Sequence, residues 1–151
     1  MGMLFPHGLC HSGLYLYNKR REKCKMIVIR TQPTCMGRAY ATAHTCITKK
    51  KIGRIDMIVG ADAGYLRIDS FGVEEKYRRK GMGKKLIETM IAEAKRIGGK
   101  EIIVYPNPEC YANEKPLDIK TLYEIYEALG FVLDNPDADI SRRDNKMSMQ
   151  V

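Results

Sequence analysis

The apolar pattern changes period twice between residues 64 and 105, and this limits the folds open to the chain. Residues 64–73 (GYLRIDSFGV) alternate as a strand does, with Leu66, Ile68, Ser70 and Gly72 expected on one face and Arg67, Asp69, Phe71 and Val73 on the other. From Gly81 to Ile97 the apolar residues Met82, Leu86, Met90, Ala94 and Ile97 recur at spacings of three and four, the period of an amphipathic helix. Gly98-Gly99 ends that helix, and residues 101–105 (EIIVY) return to a short buried strand. A strand, a helix and a strand in one run imply a crossover, and a crossover joins parallel strands.

The flanking segments read differently. Residues 26–30 (MIVIR) form a β-branched run bounded by Gln32-Pro33, and residues 39–48 and 52–59 read as two more strands. Lys49-Lys50-Lys51 between them fits an exposed, solvated hairpin turn. After the crossover comes a polar loop to about Pro116. Asp118 can then cap a second helix running to Leu129, with Leu122, Ile125, Tyr126 and Leu129 on one face and Gly130 closing it. Residues 131–133 start another strand, and 146–151 (KMSMQV) alternate as a final edge strand. Hairpins joined to a crossover predict a mixed α/β (α+β) sheet, mostly antiparallel, with a central parallel pair flanked by helices. At 151 residues the chain is one domain by length, read as residues 25–151 behind a flexible basic arm, 1–24.

Composition narrows the classes further. The net charge is +8, but half of it sits in residues 1–25, so the body is only mildly basic and the case for nucleic acid is weak. The five cysteines are odd in number and irregular in spacing, which argues against a disulfide framework and for a reducing, cytoplasmic setting. His7, Cys10, His11 and Cys24 match no finger spacing, so no metal site is expected. No apolar run is long enough to span a membrane.

The chemistry concentrates in residues 73–85, where a strand ends, a loop with two glycines follows and a helix begins. A helix start has unpaired N–H groups and a positive dipole end, so cations there are unfavourable. Yet Arg78, Arg79, Lys80, Lys84 and Lys85 crowd this one. They are consistent with a polyanion seated among them, and glycine lets the backbone approach it closely. A phosphate or pyrophosphate site follows. It is no Walker A loop, because Lys85 stands where Ser or Thr is needed, and no dinucleotide fingerprint, because Leu86 stands at the third glycine position.

Arg78-x-x-Gly81-x-Gly83, after a strand ending in Val73, resembles the pyrophosphate loop of the GNAT superfamily of N-acetyltransferases, (Gln/Arg)-x-x-Gly-x-(Gly/Ala). Downstream, Tyr126-Glu127-Ala128-Leu129-Gly130-Phe131 is similar to that family's second signature, Tyr-x-x-x-Gly-Phe, at the expected distance. The resemblance implies acetyl-CoA as co-substrate and direct acetyl transfer to a primary amine. It implies that the backbone of Arg79, Lys80, Gly81, Met82, Gly83 and Lys84 cradles the pyrophosphate, with Arg78 opening the motif, and that Phe71 and Val73 bond the pantetheine arm through main-chain groups. It implies Tyr126 as the acid that protonates the departing thiolate, although a buried helix tyrosine is equally compatible with that pattern. Asp69, read as sharing a face with Val73, is the candidate general base, against a merely structural or orienting carboxylate.

Two departures stand beside the resemblance. Only about eight residues separate the first two strands, where the family places helices that wall the acceptor pocket. The asparagine usually found seven residues before the second-motif tyrosine is Ile119, and Asn107 or Asn113 are the substitutes in view. Both leave the amine acceptor unidentified, as a small molecule or a protein, and leave a homodimer open. A non-catalytic acyl-CoA-binding module and a basic nucleic-acid-binding domain using the 19–25 and 49–54 clusters are the alternatives.

Overall fold

The computed structural model describes residues 14–17, 27–35, 37–60, 64–108 and 115–151. An eight-stranded sheet runs in the order β1-β2-β3-β4-β5-β6-β8-β7. Its strands are β1 (Leu14–Tyr17), β2 (Ile27–Cys35), β3 (Arg38–Thr45), β4 (Lys51–Val59), β5 (Tyr65–Val73), β6 (Glu101–Val104), β7 (Val132–Leu133) and β8 (Met147–Gln150), with helices α1 (Met82–Arg96) and α2 (Ile119–Ala128). Among the described residues only β5 and β6 are parallel; every other neighbouring pair is antiparallel. The mixed sheet and its parallel pair are those the sequence pattern predicts.

α1 lies along one face of the sheet. Ala39, Ala41 and Ala43 of β3 pair with Met57, Ile55 and Gly53 of β4, and all six are buried. Small side chains here let the helix approach: a Cβ on Gly53 would meet Leu86 Cδ1 at 3.2 Å. Leu86, Met90 and Ala94, from the predicted helical stripe, are among the least exposed residues of the molecule. Adding methylenes to such a close-packed layer costs about 1–3 kcal/mol.

Four features differ from the sequence reading. β2 does not stop before Pro33 but continues to Cys35, with a register irregularity between Gln32 and Cys35 that accommodates a residue lacking an N–H. β3 therefore follows almost at once, and Gly37 at the junction has φ 74°. β1 falls within the segment expected to be an arm, where Leu14–Tyr17 pair with Arg30–Ile27. The C-terminal strand is not an edge: β8 sits between β6 and β7 with Met147 fully buried, and the two-residue β7 takes the edge. Finally, Lys50 of the hairpin turn is no idle cation, since its Nζ lies 2.9 Å from the buried Glu74 carboxylate. The rest of the 1–24 segment, with His7, Cys10, His11 and Cys24, lies outside the described residues, as do the basic residues 19–25 and Asn113.

Candidate active site

β5 and β6 pair only at their first three positions, Tyr65 with Glu101, Leu66 with Ile102 and Arg67 with Ile103. Beyond Arg67 the strands part, and β5 runs on to Val73 beside an opening of about 480 Å³. Ile68–Val73 line one side and Val104, Tyr105 and Asn107 the other. α2 turns part of its apolar stripe, Leu122, Ile125, Tyr126 and Leu129, to this cavity. The stripe that the sequence assigns to core contact is therefore also a wall.

A bulge decides what faces the cavity. Asp56 pairs with Ser70 and Met57 with Ile68, so Asp69 has no partner and the alternation resets there. Phe71, opposite Ile55, and Val73, opposite Gly53, thus share the α1 face with Leu66 and Ile68. This corrects the uninterrupted alternation read from sequence. Asp69 does not share a face with Val73. Its carboxylate turns to the opposite face, to Arg38 Nη1 at 3.5 Å and Arg67 Nη2 at 3.9 Å, although the residue is still part of the cavity lining.

The loop after β5 closes one end. Arg78 Nε donates to the Val73 carbonyl at 2.8 Å and ties the end of the strand to the start of the loop. Arg79 (φ 55°) and Gly81 (φ 76°) are both left-handed. For a non-glycine residue that conformation costs about 1–2 kcal/mol, and such turns gather backbone N–H groups into an anion-binding concavity. Gly81 is the N-cap of α1, with no side-chain cap and no acidic residue in the first turn. A Cβ on Gly81 would meet nothing within 4 Å, so its side of the loop is open, whereas one on Gly83 would meet Phe71 Cζ at 3.1 Å.

Nine of the eleven residues singled out from the sequence line the cavity: Asp69, Phe71, Val73, Arg78, Arg79, Gly81, Gly83, Lys84 and Tyr126. The two others do not. Met82 points its side chain into the core, and Lys80 Nζ sits 6.0 Å over the buried Tyr77 ring. Tyr126 is 6% exposed, packs edge-on to Phe131 with centroids 5.5 Å apart and lies 6.1 Å from Phe71. It is thus a core ring, as the second reading has it, that also borders the cavity. Tyr105 and Leu117 are lining residues that sequence reasoning misses because nothing in a loop's composition shows which way it folds back, and Thr121, in the first turn of α2, is missed because it lies outside the apolar stripe.

Comparison with known proteins gives this arrangement a family. Residues 38–133, well over half of the chain, match the acetyltransferase (GNAT) domain, and the chain belongs to that family. The fold is similar to that of nourseothricin acetyltransferase (TM-score 0.58, 16% identity, 76% of this chain and 66% of that one). It is similar to an aminoglycoside 6′-N-acetyltransferase complexed with coenzyme A (0.57, 18%, 76% and 73%) and to the IAA acetyltransferase of Bacillus cereus (0.59, 16%, 83% and 99%). The chain thus spans just under two thirds of the first of these proteins. No curated protein matches it by sequence. Among the described residues no helix is long and apolar enough to cross a membrane, and no group of His, Cys, Asp and Glu is placed to hold a metal ion.

Proposed function

We propose that the protein is an acetyl-CoA-dependent N-acetyltransferase that passes the acetyl group directly to a primary amine. The observation that carries this is the uncapped, glycine-opened start of α1 at the end of the cleft between the parted strands β5 and β6. The backbone from Arg79 to Lys84 supplies the N–H groups for the pyrophosphate, and the surrounding cations offset its charge. The apolar wall of α2 and the edge of β5 from Phe71 to Val73, unpaired on the β6 side, suit an extended pantetheine arm, and the cavity volume falls in the range of small-molecule sites.

Acetyl-CoA supplies an activated thioester, so the chain's own residues have only to orient, stabilise charge and move protons. The amine nitrogen forms the new C–N bond as the C–S bond breaks. The Val73 main-chain N–H is the proposed donor to the developing oxyanion. The Tyr126 hydroxyl is the proposed acid for the thiolate, and the amine proton leaves through water, with Asp69, four residues along β5 from Val73, as the proposed base at the end of that path.

Calorimetric titration of acetyl-CoA into the wild type and Gly81→Glu tests the reading. Micromolar binding to the wild type, lost in the variant, supports it. No binding by the wild type rejects it.

A further inference from the structure

The far side of the β5 bulge carries a second recess. It shares Ile68, Asp69, Tyr105 and Asn107 with the first cavity, and Arg67, Arg143 and Asp144 complete it. Arg67 and Arg38 both stand opposite Ile58 of β4, on the face away from α1, and the displaced Asp69 carboxylate reaches one guanidinium with each oxygen. Across the recess, Asp144 is held by Arg142 Nη2 at 3.0 Å. Both carboxylates therefore already have cationic partners. Arg143 has none: it is exposed and makes no hydrogen bond or ion pair among the described residues. Of the four charged side chains that line the recess, two arginines and two aspartates, Arg143 is thus the one left without an opposite charge, and the recess shares Asp69, Tyr105 and Asn107 with the proposed cofactor cavity. A guanidinium offers paired N–H donors that match a carboxylate or phosphate, and an amine with further positive charge would meet like charge.

We propose that this recess is the acceptor subsite and that it takes amines which also carry an anionic group, a carboxylate or a phosphate. Arg143 contacts the anion, and Asp69, at the seam between the two recesses, faces the amine. This rests on the acetyltransferase reading and adds the class of acceptor to it.

The test is steady-state acetyl transfer from acetyl-CoA to four amines: β-alanine, O-phosphoethanolamine, the uncharged-tail analogue β-alanine amide, and spermidine. One charge-assisted pair corresponds to about a tenfold or greater gain, so kcat/KM for one of the two anionic amines exceeds that for the amide and spermidine by roughly that factor. Which anionic amine leads separates carboxylate from phosphate. Arg143→Ala raises KM for the favoured amine about tenfold with little change in kcat, the preference over the amide collapses, and Arg143→Lys restores part of it. Equal or better use of the amide or spermidine, an unchanged preference in Arg143→Ala, or turnover of none of the four overturns the proposal. Acetyl-CoA titrated into the same preparation tells the failures apart. Binding without the anionic preference leaves the acetyltransferase reading standing, and absence of binding removes both.

Discussion

The two helices begin in opposite ways. α2 starts at Asp118, whose carboxylate accepts from the Thr121 backbone N–H at 3.0 Å and from its hydroxyl at 2.5 Å. It satisfies its own terminus. α1 starts at a left-handed glycine, carries no cap and no acid, and has Lys84 and Lys85 in its first turn. Glu88, one turn further on, approaches those lysines at 3.9 and 3.6 Å. A start that leaves N–H groups unpaired and adds cations is poor helix design, and it makes sense where an anion from outside completes it. The contrast is between a helix that carries its own side-chain cap and one whose start is left open, as the proposed anion site requires.

The sharpest way to break the contrast is to give α1 an acid where α2 has one. Gly81→Asp places a carboxylate on the open side of the loop. Like charge against a pyrophosphate costs several kcal/mol, so acetyl-CoA affinity should fall on the order of 10³-fold by calorimetry. With no atom within 4 Å of the new Cβ, the loss of fold stability should stay near the 1–2 kcal/mol of a left-handed non-glycine residue. An effect on stability larger than on binding would mean that the loop is structural. Next in size is Tyr126→Phe. The ring contacts with Phe71 and Phe131 remain, so acetyl-CoA affinity should hold while kcat falls about 10²-fold. Unchanged kcat would return Tyr126 to a core role alone.

Arg78→Met probes the hinge between β5 and α1. It removes the donor to the Val73 carbonyl while keeping an apolar stem, and a hydrogen bond from a charged group is worth about 1.5–3 kcal/mol. Chemical denaturation should show a loss of that order. Acetyl-CoA binding should weaken as well, because the loop is no longer tied to the strand beside it.

Much of this is legible in the sequence, and the parts that are not share a cause. Periodicity finds β3, β4, α1 and α2 because each buries a largely regular face, and finds β5 from its first half, before the bulge. The glycine and arginine spacing finds the loop because the left-handed backbone at Gly81 and the close approach of Phe71 at Gly83 are local requirements. The bulge at Asp69 escapes because counting alternate residues assumes an unbroken ladder, and one unpaired residue moves Phe71 and Val73 to the other face. The insertion of β8 between β6 and β7 escapes for a related reason: KMSMQV alternates equally well at an edge or inside, and pairing across the sheet decides which. The second recess depends on both corrections, since the bulge turns Asp69 toward Arg38 and Arg67, while the loop before β8 supplies Arg143.

The smallest expected effect comes from the other helix start and serves as the control. Asp118→Ala removes the α2 cap without touching the loop at Gly81, so acetyl-CoA affinity should not change and the melting temperature should drop slightly. The drop should depend on pH. The Thr121 hydroxyl, and then its backbone N–H, hold the Asp118 carboxyl below the usual carboxylate range. A group with its folded value lowered contributes stability that is fully present above the ordinary carboxylate value of about 3.9, and that contribution is lost as the pH falls through the folded value. The difference in melting temperature between wild type and Asp118→Ala should therefore be constant from neutral pH down to about 4 and shrink in more acid solution. A difference that grew on acidification would mean that the carboxylate is not the stabilising form. An acetyl-CoA affinity that moved with Asp118 would mean that the two helix starts are not the independent devices their geometry makes them.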